Sequence, residues 1–401
     1  VIADPVGVSG FEESSPLPMF PSSMYFVKKA NWLIALMVEG LAPLFRAYAF
    51  RKCGRAVSNP HAWKRALVVG DNHIGDILYR TCSLVALKQG LPECEFYYLT
   101  APNTAALLEG NPAIRAVLPW ARSGSPLDLL PCHEAELKKL GFDALLSTNA
   151  VRYWPELALA VRLGIPNRVG YIYKGFSGWV THPMPIRYPQ SYPAYFRGYV
   201  AALTGQEPAW PLCPRLYPRQ TDQEEADGIW LQLGLDVQRP TLACFMTTRQ
   251  PIGAMPMNLM GGILSEVRQQ TGAQILLLGA KDDAAILERT NRQYGLAASI
   301  LAGSLGLRAL PSFLQRCDAV LTSDSGPRHL ANVAKVPVFF FRNLWFSSVE
   351  AGCYAATEVD LCPPDIQRLG DSQQRLVLAQ LSAVDVANRV VKVLRNKGKP
   401  S

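Results

Sequence analysis

Three short stretches place polar side chains where an apolar run gives way to a helical pattern. In Gly70-Asp-Asn-His-Ile-Gly-Asp-Ile77 the acid Asp76 falls at a helix start. Asn72 and His73 lie in the turn before it, and Gly75 permits a tight turn or a close backbone approach. A carboxylate at this position either caps the helix and complements its dipole or faces a cleft as a general base toward a hydroxyl. The residue types leave both roles open. In Leu321-Thr-Ser-Asp-Ser-Gly-Pro-Arg-His-Leu330, Ser325, Gly326 and the following amides can cradle a phosphate at a helix N-terminus. Asp324 can orient that loop or hold a sugar hydroxyl, and an ordinary helix cap is the plain alternative. His329 reads as a packed, hydrogen-bonded core histidine. In Met246-Thr-Thr-Arg-Gln250, Thr247, Thr248 and Arg249 follow a strand, where hydroxyls and a guanidinium suit diphosphate oxygens. A solvated polar loop is the plainer reading of that stretch.

The elements around these stretches alternate. Short β-rich runs at 66–69, 96–99, 114–118 and 142–147 are separated by helical patterns at 77–89, 104–109 and 134–140. A helix at 156–163 and an extended stretch at 168–172 follow. A Pro- and aromatic-rich stretch, 188–218, interrupts the rhythm. Strands at 242–245, 274–278, 319–321 and 338–341 then resume it, with helices at 258–270, 282–294 and 307–317 and one long helix over 373–395. Strands alternating with helices mean parallel sheets covered on both faces. The pattern predicts two doubly wound domains in tandem, 61–212 and 213–401, after an N-terminal extension, 1–60. Ligands in such sheets bind beyond the carboxyl ends of the strands, so the expected site is the crevice between the domains.

Composition narrows the classes. The 401 residues are 49% apolar, enough for two cores. The five histidines are scattered singly, without metal-ligand spacing, and no metal centre is expected. The nine cysteines lack a Cys-x-x-Cys pair and are odd in number, which reads as free thiols in a reducing, cytoplasmic setting. A net charge of +8 favours an anionic partner. No Lys/Arg block with interleaved aromatics is present, so nucleic acid is not the expected one. The segment 30–50 is apolar and bracketed by Lys28, Lys29, Arg51, Lys52 and Arg55. Glu39, Arg46 and the Gly40/Pro43 pair interrupt it, which disfavours a membrane span. Two readings remain: an amphipathic helix at an anionic membrane surface, or a helix packed on its own domain.

Taken together, the motifs resemble glycosyltransferase family 9, the ADP-heptose:lipopolysaccharide heptosyltransferases. Gly75-Asp-Ile-Leu78 is similar to the family's Gly-Asp-x-Leu after the first strand, and Leu108-Glu-Gly-Asn-Pro112 to a stretch that often follows. The segments Leu301–Leu310 and Ser323–Leu330 resemble two later family motifs, in the right order. The similarity spans roughly 64–345.

The resemblance implies a GT-B fold of two Rossmann-like domains facing a cleft, with the acceptor on the first and an ADP-sugar on the second. It implies an inverting, metal-independent transfer without a cofactor, with Asp76 as general base. Thr247, Thr248 and Arg249 would line the diphosphate, Ser325, Gly326 and Arg328 would lie opposite, and Asp324 would fix the loop. Asn72, His73 and Gly75 would form an acceptor-side or structural loop. The expected partners are a nucleotide-sugar and a lipid-linked oligosaccharide, met at the inner face of the cytoplasmic membrane. The chain departs from the family in two respects: the loop after Arg249 carries no lysine, and the extension 1–60 is absent from typical members. A different nucleotide-sugar donor, or a catalytically silent scaffold of the same fold, are the competing readings.

Overall fold

The computed structural model describes residues 36–69, 73–120, 129–148, 154–172, 176–184, 191–209, 213–248, 255–364, 366 and 369–395. Asn72 and Arg249 lie outside these residues. Twelve strands form two parallel sheets among them. The first contains β1 (Arg65–Val69), β2 (Glu95–Leu99), β3 (Ile114–Leu118), β4 (Ala144–Ser147), β5 (Asn167–Gly170) and β6 (His182–Pro183), in the order β3-β2-β1-β4-β5-β6. The second contains β7 (Thr241–Phe245), β8 (Gln274–Gly279), β9 (Ser299–Ala302), β10 (Ala319–Ser323), β11 (Val338–Phe341) and β12 (Glu358–Asp360), in the order β12-β11-β10-β7-β8-β9. Central strands such as Ala66–Val69 and Leu242–Phe245 are buried throughout, as strands covered on both faces must be. Strand order reverses beside β1 in one sheet and beside β7 in the other. The loops after β1, β7 and β10 therefore stand at the two switch points, where ligands of open α/β sheets bind.

Three elements differ from the sequence expectation. The stretch expected to interrupt the rhythm contains the Tyr192–Thr204 helix. Pro193 is tolerated in its first turn, where no intrahelical amide bond is lost. Tyr195, Phe196, Tyr199, Val200 and Leu203 bury the face that meets the Ile74–Gly90 helix. The expected C-terminal helix is two helices, Asp371–Ala379 and Ala383–Leu394. Ser382 starts the second, its hydroxyl accepting from the Asp385 amide at 3.2 Å. The break rotates the buried face, so Val384 is exposed while Val386 and Val390 join Ala387, Val391 and Leu394 inside. The helix expected over 307–317 is confined to Leu310–Leu314, which leaves Arg308 in the turn before it.

Arg308 fastens the two halves. Its Nη1 donates to the carbonyls of Ala106 (2.8 Å) and Glu109 (3.0 Å) in the first half, beside the Leu108–Pro112 motif. Its Nη2 donates to the Tyr217 carbonyl (2.6 Å) in the connecting chain, and its Nε to Asp222 Oδ2 (2.9 Å) at the start of the Gln220–Leu233 helix. Burial works to raise the Asp222 carboxyl, but the Arg308 hydrogen bond, the Arg219 amide and both guanidinium charges hold it below the usual range. Arg308→Ala strands this buried acid and three carbonyls. We expect a loss of about 3–5 kcal/mol of stability, read as a lower denaturant midpoint.

Candidate active site

The site is assembled from loops at the carboxyl edges of both sheets. After β1 the chain turns into the Ile74–Gly90 helix, with His73 in extended conformation at its N-cap. Asp76 lies in the first turn, and no helix amide donates to its carboxylate among the described residues. Its described contact is His73 Nδ1 at 3.5 Å, and the Asp76 side chain is 35% exposed. It is thus a solvent-reachable carboxylate in a helix's first turn, with lone pairs available to take a proton.

After β10 the chain turns at Ser325 into the Gly326–Ala334 helix, whose first turn abuts that of Ile74–Gly90. A Cβ on Gly75 would lie 2.6 Å from His329 Cδ2, and one on Gly326 would lie 2.9 Å from Ile74 Cβ. Both contacts demand glycine, and they bring the Asp76 and Ser325 turns to one place. Two helix N-termini, each carrying partial positive charge, converge there. The Ser325 hydroxyl caps no amide; it bonds Ser323 Oγ at 3.2 Å and the Ser323 carbonyl at 3.3 Å.

Aromatic packing clamps this junction. Tyr79 of the first half packs at a tilt against His329 (4.3 Å between ring centroids) and Tyr354 (5.0 Å) of the second. The Tyr354 hydroxyl accepts from Asn332 Nδ2 (2.7 Å) and pairs with His329 Nδ1 (2.8 Å). Burial, with the Arg328 charge beside it, holds the His329 imidazole well below its ordinary range, so the ring is neutral. His329 is therefore a packing histidine, as its position in the sequence suggests.

Arg328 requires a correction. Expected on the donor surface, it is fully buried, and all five of its N–H groups are used inside the protein. Nε and Nη2 form a two-pronged bond to Glu358 (2.5 and 2.9 Å). Nη1 donates to Asp324 Oδ1 and the Ala351 carbonyl (both 2.8 Å), and Nη2 also donates to the Gly352 carbonyl (2.6 Å). The guanidinium lies 3.6 Å from the centre of the Phe340 ring. Arg328 thus holds Asp324 and the loop rather than a ligand. Asp324 is accordingly a loop-fixing residue, its carboxyl pushed up by burial and pulled back by Arg328.

Thr247 and Thr248 are half-buried at the end of β7, between the ends of β10 and β8. The loop after β7 carries no lysine, but one stands at the same sheet edge one strand away. Lys281 follows β8, is exposed, and makes no ion pair among the described residues. It opens the turn leading into the Ala284–Tyr294 helix, the end of a helix that disfavours a cation. Its signal in the sequence was a basic residue directly after a strand.

A pair of doubly wound sheets meeting through the loops at their carboxyl edges is the GT-B architecture of glycosyltransferases. A glycosyltransferase family 9 protein from Veillonella parvula shares it, with a TM-score of 0.70 at 18% identity over 83% of this chain and 97% of that one. The ADP-heptose LPS heptosyltransferase II of E. coli gives 0.64 at 16% identity, over 84% and 100%. In sequence, the lipopolysaccharide core heptosyltransferase OpsX of Haemophilus influenzae is 23% identical over 274 residues, 66% of this chain and 75% of OpsX. Residues 158–339 match the glycosyltransferase family 9 (heptosyltransferase) model. Over that segment the chain is similar to glycosyltransferase family 9.

Proposed function

We propose that the protein transfers a heptose or related sugar from an ADP-sugar to a lipid-linked, lipopolysaccharide core-type acceptor at the inner face of the cytoplasmic membrane. The observation that carries this reading is the convergence of two helix N-termini on one point beside a half-exposed Asp76. Relatives support the donor: the E. coli heptosyltransferase WaaC has been solved with ADP and with ADP-2-deoxy-2-fluoro heptose. Asp76 takes the proton of the acceptor hydroxyl as that oxygen bonds the anomeric carbon. The bond from that carbon to the diphosphate breaks from the opposite face, inverting the centre, and ADP leaves with the electron pair. The helix-terminal amides, Thr247, Thr248, Ser325, Arg249 and Lys281 take up the charge that develops on the leaving group, with no call for a metal.

The test is calorimetry with ADP and UDP, followed by transfer from a panel of nucleotide-sugars. The full chain is expected to bind ADP and to transfer from an ADP-sugar. Arg249→Ala should weaken ADP by about 1.5–3 kcal/mol, the worth of a charge-assisted hydrogen bond. Lys281→Ala should weaken ADP more than adenosine. Binding of UDP in place of ADP would move the donor class, and binding of neither with no transfer would leave a scaffold.

A further inference from the structure

The Ala42–Cys53 helix has apolar residues on two sides. One side is packed: Ala42 and Ala49 are buried, and Phe45 stacks on Phe176 (5.7 Å) and packs at a tilt against Trp179 (5.1 Å). A Cβ on Gly178 would lie 2.2 Å from the Ala42 carbonyl oxygen, so the helix rides directly on that backbone. Glu39, the one acid between 36 and 58, is held by the Ser177 amide and hydroxyl. The packing reading of this segment is therefore correct, but it accounts for one flank only.

On the other flank Met37, Leu41, Leu44 and Tyr48 recur at helical spacing and are 72%, 48%, 67% and 57% exposed. Phe50, 62% exposed, stands beyond them. Arg51 and Lys52 continue the stripe by one turn, and with Arg46 and Arg55 they are exposed and without an ion pair among the described residues. Exposed apolar side chains so grouped mark a contact surface. The face also has a direction. Trp154, 44% exposed, opens the helix after β4 at the carboxyl edge of the first sheet. It stacks on Phe176 (5.8 Å), the ring that Phe45 also stacks on. The exposed stripe is thereby tied to the edge of the sheet that carries the site.

We infer that this flank docks on an anionic bilayer surface, with the apolar stripe at the acyl boundary and Arg51, Lys52 and Arg55 among lipid phosphates. A second copy of the chain is a poorer occupant, because a two-fold contact would set these unpaired cations against their own counterparts. Among the described residues no helix is long and apolar enough to cross a membrane. Docking in this orientation brings the cleft mouth to the plane that holds the lipid-linked acceptor proposed above. Vesicle binding is read separately from ADP binding, so either reading can fail alone.

Flotation of the full chain with phosphatidylglycerol/phosphatidylcholine vesicles tests the inference. The chain should float with them, should not float with phosphatidylcholine alone, and should be released by salt, which screens the basic residues. Leu44→Asp with Tyr48→Asp should lower binding at least about tenfold, since two apolar side chains leave the boundary, with the melting temperature and ADP binding unchanged. Arg51→Gln with Lys52→Gln should weaken binding and flatten its salt dependence. Failure of the full chain to float at low salt would overturn the proposal. So would equal flotation of the Leu44/Tyr48 variant, or a wild-type dimer in lipid-free sedimentation that this variant dissociates.

Discussion

Asp76→Asn lowers turnover by about 10²–10⁴, the usual worth of a positioned general base, and leaves ADP affinity near that of the wild type. The amide keeps the shape and the hydrogen-bonding reach of the carboxylate but cannot accept the acceptor's proton. Stability falls little, because a charge in the first helical turn contributes only about 0.3–1 kcal/mol. Steady-state transfer rates beside ADP calorimetry check the result. If Asp76 served the helix alone, the mutant would turn over at the wild-type rate. The absence of any described helix amide on its carboxylate argues against that outcome.

Arg328→Ala costs about 3–5 kcal/mol of stability, the loss expected when one member of a buried charge network is removed. Glu358 has no solvent-exposed side-chain surface and would lose its two-pronged bond, keeping only the Asn332 amide and the Tyr354 and Ala355 N–H groups. Asp324 and the carbonyls of Ala351 and Gly352 would lose donors as well. Lysine does not rescue the site, because three donors on a point charge cannot meet five acceptors arranged around a planar fork. Denaturant unfolding of the wild type, Arg328→Ala and Arg328→Lys measures the effect. A midpoint for Arg328→Ala close to that of the wild type would show that the network adds nothing to the fold.

The same residue marks where the sequence could be read and where it could not. Alternating apolar runs and helical patterns predict two parallel sheets, because strands covered on both faces must be apolar throughout. The turns after β1, β7 and β10 stand out because polar residues follow buried strands directly. What a side chain does within such a turn depends on partners far away in the chain. Arg328 reads as a donor ligand until Glu358, 30 residues on, is found against it. Arg308 gives no local sign that it reaches carbonyls 202 and 199 residues earlier. The Tyr192–Thr204 helix is obscured because its tyrosines and proline suggest a loop, although its buried face is set by the helix it packs on. The Ala42–Cys53 helix left two readings open because it is apolar on two flanks, and no periodicity separates a stripe facing the protein from one facing outward.

The meeting of two helix N-termini places like partial charges nose to nose, held by the tilted Tyr79 ring contacts and the two glycine contacts. Such a junction stores electrostatic repulsion in the empty protein. An anion entering between the ends relieves that repulsion while forming its own bonds, so part of its affinity comes from the protein's side of the ledger. By linkage, whatever lets the ends come together favours the anion, and the anion in turn tightens the junction. Small inorganic anions draw on the same relief, and they should therefore act both as inhibitors of nucleotide binding and as stabilisers of the juxtaposed halves.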